Sequence, residues 1–261
     1  TNTYLGDYPM FLPGGKEQIA GEYQPGWMLL SYGKKVSVSS SLEGYPAENI
    51  VDEDARTAWV AQSNRDMEWV QIDLQRLSSI HAIQVNFDEY GANQKGAVSG
   101  VYQSYLIYAS VNGEDWSLVV DYGTKKTDTP HDYIEFEEPF KARYIKLQNK
   151  EYMVSENFSV RDLRIFGKGQ GSTPRAVNDF TVERDEADPC KARLCWEAVP
   201  DAQGYIVRYG IAGDKLYNNF QVMGETSLEI GSLNKGVTYY FTIDTYNENG
   251  ITRTEQVEDC R

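Results

Sequence analysis

The sequence predicts an all-β chain built as two consecutive antiparallel sandwiches, and three observations predict it. From Val36 to the C-terminus, short runs of β-branched and aromatic residues alternate with polar ones and stop at Gly, Asn, Asp or Pro. No long stretch keeps a 3.6-residue apolar period, so only isolated helical turns are expected, one of them at Ala47–Val51. The 261 residues exceed one ordinary sandwich and suit two modules, and the glycine-rich tract Gly167-Lys-Gly-Gln-Gly-Ser-Thr-Pro174 separates two alternating regions.

Taken in order, residues 1–30 are apolar and aromatic but punctuated by turns, as in Tyr4-Leu-Gly-Asp-Tyr-Pro and Trp27-Met-Leu-Leu30, and cannot make a core alone. They read as the tail of a missing upstream domain or as a strap along the following module. Strands are expected at Lys35–Ser39, Trp69–Leu74, Ile80–Asn86, Tyr105–Ser110, Tyr133–Phe136, Tyr144–Gln148 and Leu163–Phe166, within a first module over residues 31–168. A linker follows at residues 169–176, and a fresh alternating pattern from Val177 defines a second module over 177–261.

With 41% apolar and 25% charged residues the chain has globular proportions and should fold. Its 39 acidic against 25 basic residues leave a net charge of −14, which repels phosphate backbones and argues against a nucleic-acid partner. No apolar run reaches the ~18–20 residues that cross a bilayer, so membrane insertion is not expected. His81 and His131 are isolated from any catalytic or metal cluster and read as structural or surface residues. Asn157-Phe-Ser159 fits a glycosylation sequon, a pattern that arises often by chance.

Asp52, Asp54 and Thr57 place three oxygen-bearing side chains within six residues, a spacing that lets a tight loop wrap a hard cation. Acidic residues in turns also cap and solvate loops, so the spacing alone leaves both readings open. The surrounding stretch, Ala47-Glu-Asn-Ile-Val-Asp-Glu-Asp-Ala-Arg-Thr-Ala-Trp59 followed by Glu68-Trp-Val-Gln-Ile-Asp-Leu74, resembles the discoidin family, the coagulation factor 5/8 type C fold that includes carbohydrate-binding module family 32. Tyr105-Leu-Ile-Tyr-Ala-Ser-Val-Asn-Gly-Glu-Asp-Trp116, Ala142-Arg-Tyr-Ile-Lys-Leu147 and Val160-Arg-Asp-Leu-Arg-Ile-Phe-Gly167 extend the resemblance over residues 31–167. It implies a galactose-binding-like jelly-roll β-sandwich with one structural Ca2+. Carried over residue by residue, the ligands are Asp52, Asp54 and Thr57, the carbonyls of Asn49 and Arg161, and the Asp162 carboxylate. Glu53 stands where many relatives have glycine, so a positive φ there would strain the loop. A cation ringed by protein oxygens leaves no open position for substrate, so its role is structural.

The family's sugar binders use loops at one end of the sandwich, which here are Gln62–Asp66, Asp88–Tyr102 and Tyr152–Phe158. Loops beyond ~12 residues are often functional, and the middle one qualifies. Within it Tyr90 and Tyr102 offer rings to a sugar face, and Asp88, Asn93 and Gln94 offer hydrogen bonds to hydroxyls, although solvated loop chemistry explains the polar residues equally well. Trp59 and Trp69 read as core residues.

In the second module, Ala192-Arg-Leu-Cys-Trp196, Gly204-Tyr-Ile-Val-Arg-Tyr209 and Val237-Thr-Tyr-Tyr-Phe-Thr-Ile243 resemble a fibronectin type III domain, an immunoglobulin-like β-sandwich. Alternation puts Leu194 and Trp196 inward and Cys195 outward. That sandwich brings the turn before its second strand and its last strand to one pole, which implies a Cys190–Cys260 disulfide, with three free thiols as the alternative.

The order of parts resembles the C-terminal region of bacterial glycoside hydrolase family 43 proteins, whose catalytic propeller lies upstream. The resemblance implies a non-catalytic accessory region of an exported protein, monomeric, whose partners are a glycan and the upstream catalytic domain. The alternative is a purely structural spacer that binds no glycan.

Overall fold

The computed structural model describes residues 11–13, 25–92 and 100–261, and it divides into two compact units, Thr1–Gln170 and Gly171–Arg261. Both are all-β, the class read from the sequence.

In the first unit, β1 (Phe11–Pro13) pairs with β2 (Pro25–Leu29), which pairs in turn with the last strand of the unit, β9 (Ser159–Lys168). The described part of residues 1–30 therefore joins the first unit's sheet, with Met28, Leu29 and Leu30 buried. Between them come β3 (Lys35–Val38), a single 3-10 turn at Ala47–Val51, β4 (Trp59–Val60), β5 (Trp69–Phe87), β6 (Gln103–Ser110), β7 (Ser117–Tyr122) and β8 (His131–Tyr152). The hydrogen-bonded order is β1-β2-β9-β5-β8-β6-β7, with β3 on β5 and β4 on β9.

The expected pairs of short strands at 69–74 and 80–86, and at 133–136 and 144–148, are each one long strand. β5 and β8 run through both layers: residues 69–73 pair with 144–148 in one layer, and residues 78–86 pair with 131–142 in the other. At the corner the register shifts between Asp73 and Ser78, and Gln75 takes φ 68°. Polar Gln75-Arg76 and Glu137-Glu-Pro139 break the apolar alternation there because the corner faces solvent, yet each strand continues through it.

Alternation then fills the core. Val70, Ile72 and Leu74 of β5 and Ile145 and Leu147 of β8 point inward, joined by Ile107, Trp59, Phe158, Val160 and Ile165. Each such side chain contributes about 1.5–3 kcal/mol on burial. Trp59 is fully buried, as expected. Trp69 is not: it shares the outward face of β5 with Gln71 and Asp73 and stays half-exposed. Gly167 is required where β9 crosses β5, since a Cβ there would collide with the Ser79 carbonyl.

The second unit has two sheets, β10-β11-β14 and β13-β12-β15-β16, with β17 on β15. The strands are β10 (Phe180–Arg184), β11 (Ala192–Trp196), β12 (Gly204–Gly210), β13 (Asn218–Met223), β14 (Ser227–Ile230), β15 (Tyr239–Asn247), β16 (Gly250–Thr252) and β17 (Glu258–Cys260). Leu194 and Trp196 face inward and Cys195 outward, as the alternation required. The tract read as a linker is not free chain from Gly171 onward. Asn247 and Asn249 donate to the Ser172 carbonyl at 3.1 and 2.9 Å, and Thr245 donates to the Arg175 carbonyl at 2.7 Å.

The Cys190–Cys260 bridge is not formed; all three cysteines are free thiols. Hydrogen bonds close the Cys190 turn instead, its N–H to Asp188 at 3.1 Å and its carbonyl from the Leu233 N–H at 2.9 Å. Cys260 lies buried opposite Tyr239, and burial pushes its thiol up.

Candidate functional site

The expected cation loop folds on itself. Asp52 accepts the Asp54 N–H at 2.9 Å and the Thr57 hydroxyl at 2.8 Å, while Thr57 also donates to the Asp54 carbonyl at 3.0 Å. Asp54 turns outward to Arg56, which grips both its oxygens at 2.9 Å and holds its carboxyl below the usual range. The Asn49 amide donates to the Ala58 carbonyl at 2.8 Å.

Glu53, flagged in the sequence only as a departure from glycine, does adopt φ 61°, at a cost of about 1–2 kcal/mol. The conformation sends its carboxylate inward, where Arg164 of β9 meets it at 3.0 and 3.2 Å, both side chains almost fully buried. Arg164 also donates to Gln84 at 3.0 Å. Asp162, fully buried, accepts from the Asn86 amide at 3.0 Å through one oxygen; its other oxygen is buried without a donor. Burial pushes Glu53 up to about 7 and Asp162 up to about 6; Asp162 raises Glu53 further, Asp52 raises both, and Arg164 opposes the rise in both.

Arg161 completes this region. The register between β5 and β9 shifts there, with Asn86 opposite Asp162 and Phe87 opposite Val160, so Arg161 is the extra residue of a bulge and its backbone leaves the ladder. Its side chain pairs with Asp88 at 2.5 Å. The donorless Asp162 oxygen, the nearby Asp52 charge and the unladdered main chain at Arg161 fit a hard divalent cation. Asp54, committed to Arg56, fits it less well. Among the described residues no three His, Cys, Asp or Glu side chains converge, so carbonyl and hydroxyl oxygens would have to complete any such set.

The loops after β5, before β5 and between β8 and β9 meet at one pole. Asn64 donates to the Ser155 carbonyl at 2.8 Å, Asn157 to the Ala61 carbonyl at 2.9 Å, and Asn149 to the Asn64 carbonyl at 2.8 Å. The sequon asparagine is thus turned inward. The Asp88 carbonyl accepts from the Tyr152 hydroxyl and, at 2.9 Å, from Ser159, which with Arg161 makes Asp88 a brace. Tyr90 is half-exposed, its ring edge-on to Tyr45 at 4.9 Å. Tyr102 is held by Lys126, whose ammonium lies 4.3 Å from the ring centre, donates to its hydroxyl at 2.6 Å and pairs with Glu151. Asn93 and Gln94 lie outside the described residues. His81 stacks on Trp27 at 5.2 Å and His131 bonds Asn86 at 3.1 Å.

Glu53 with Arg164 is the pairing the sequence does not show: Arg164 alternates with core residues Leu163 and Ile165 and so reads as facing away from the core, and Glu53, which meets it there, comes from a distant loop.

Residues 35–162 match the model of the F5/8 type C domain. Lactadherin of Rattus norvegicus is 32% identical over 110 residues, which cover 40% of this chain and 25% of lactadherin, and that of Mus musculus is 31% identical over 110 residues, covering 40% and 23%. The chain spans about a quarter of the length of these curated relatives. Among solved structures, chitosan-binding module 1 of a chitosanase/glucanase from Paenibacillus sp. IK-5 shares 19% identity at a TM-score of 0.45, over 53% of this chain and 98% of the module. The family 32 module of NanJ from C. perfringens, solved with galactose, shares 18% at 0.43, over 53% and 97%. Over residues 35–162 the first unit is therefore similar in sequence to the F5/8 type C, discoidin-like domain.

Proposed function

We propose that this chain is a non-catalytic accessory region that binds carbohydrate at the loop pole of its first unit, within an exported glycoside hydrolase whose catalytic domain lies upstream. The observation that carries the reading is an aromatic side chain beside a held loop start: Arg161, Tyr152 and Ser159 hold Asp88, and half-exposed Tyr90 packs edge-on to Tyr45. A braced loop presents a ring to a sugar face at little ordering cost. In this reading a structural calcium lies among Asp52, the Thr57 hydroxyl, the Asn49 and Arg161 carbonyls and Asp162, and ties the Asp52–Thr57 loop to β9. Asp54 would join it only by leaving Arg56. When bound, the ion supplies the positive charge that Asp52 and Asp162 lack. The second unit, with three strands facing five, serves as a fibronectin type III spacer.

The test is a glycan array followed by calorimetry on the best hit. Binding that falls at least tenfold in Tyr90→Ala supports the reading; a flat array, or unchanged affinity in the variant, overturns it. A purely structural role is the second reading, favoured by Asp88 and Tyr102 being committed to Arg161 and Lys126. It predicts that restoring the upstream domain raises the first unit's melting temperature while no sugar binds.

A further inference from the structure

The outward face of the layer formed by β3, the first half of β5, the second half of β8, β6 and β7 carries a cation with an unusual environment. Two other basic residues of the same stretch of β8 meet a carboxylate: Arg143 meets Asp73 at 2.8 Å and Lys150 meets Asp66 at 2.6 Å. Lys146 meets none among the described residues. Its ammonium instead lies 3.8 Å from the ring centre of Trp116 and 5.3 Å from that of Trp69. Two indoles desolvate the charge, and burial alone pulls its pKa down.

The surroundings suit a sugar ring. Gln71 and Tyr108 sit directly opposite Lys146 on the two flanking strands, and Gln148 lies two residues along the same strand on the same face. All are half-exposed. Among the described residues the Gln148 amide nitrogen donates only to the Met67 sulfur, at 3.3 Å, a weak acceptor that a hydroxyl would outcompete. β8 is a central strand here, paired on both sides. A peptide therefore cannot bind by adding a strand at this point, and a ligand must be recognised through side chains alone. Indole faces, amides and one unanswered ammonium match pyranose C–H faces, hydroxyls and one carboxylate. The net charge of −14 disfavours a dense polyanion, so a single carboxylate on an otherwise neutral chain fits best.

We propose that this face, centred on Lys146 between Trp69 and Trp116, binds a uronate-bearing oligosaccharide, with Lys146 taking the carboxylate. The site lies on the flat of a sheet and does not depend on the loop-pole reading. Calorimetry and tryptophan fluorescence on the full chain test it, with a xylotetraose carrying one glucuronic acid and with digalacturonic acid as probes. Controls are the carboxyl-reduced form of each sugar and a hexaglutamate peptide.

At least one acidic sugar should bind and change the fluorescence, its reduced form at least tenfold more weakly. Lys146→Met should lose at least tenfold in affinity, Lys146→Arg should retain most of it, and Lys141→Met, on the same strand but outside the cluster, should match the parent. Circular dichroism spectra confirm folding of each variant. The proposal is overturned if neither acidic sugar binds, if the reduced sugar or hexaglutamate binds equally well, or if binding survives Lys146→Met; that last outcome would place the sugar at the loops instead.

Discussion

Both units bury a carboxylate against an arginine, fully buried in the first unit and partly exposed in the second, and the two pairs are balanced differently. In the second unit Arg208 of β12 reaches Asp244 of β15 at 2.7 and 3.1 Å, and the Thr254 N–H adds a bond at 3.0 Å. Donors match acceptors within neighbouring strands. In the first unit Arg164 answers Glu53, but Asp162 and Asp52 add negative charge that no neighbouring donor fully meets. Burial of charge is tolerated where the hydrogen-bond inventory closes; where it does not, a proton or a cation must settle the surplus.

The comparison breaks most visibly if its cationic member is removed. Arg164→Met should destabilise the first unit by about 3–5 kcal/mol, because a buried carboxylate loses its partner. Arg208→Met should cost the second unit less, about 2 kcal/mol, since Arg208 is partly exposed and Asp244 keeps its backbone donor. Hydrogen exchange on peptides from β9 and β15 assigns each loss to its unit, and equal losses would remove the contrast.

Calcium sharpens it. At a hundred times its dissociation constant the ion should stabilise the first unit by about 2.7 kcal/mol, leave β15 exchange unchanged, and do nothing to Asp162→Asn. An ion effect spread over both units would contradict the assignment.

The gentlest probe is pH in the presence of a chelator. Glu53 and Asp162 titrate near 7 and 6 in the folded unit, above ordinary carboxylates. The folded chain therefore holds protons that the unfolded chain has released between about pH 4 and 7, and stability falls as pH rises through that window. The melting temperature should be lower at pH 7.5 than at pH 5, with calcium shrinking the difference; an increase with pH would show that these carboxylates are not desolvated.

The all-β class and the inward residues of β11 were legible because each rests on local spacing. The Glu53–Arg164 contact was not, since its partners are 111 residues apart and alternation tells only which face a side chain takes. Trp69 was misplaced because aromatic bulk was weighed above period; Gln71 and Asp73 on the same face already pointed it outward. The corners of β5 and β8 looked like turns because exposed polar residues and Pro139 interrupt the apolar pattern whether or not the backbone folds back.

Because β5 and β8 each supply hydrogen bonds to both layers of the first unit, neither layer can melt while the other stays intact: unzipping one drags the shared strands out of the second. The domain should therefore lose its structure as one cooperative block, without a half-unravelled species exposing a bare sheet to neighbouring chains.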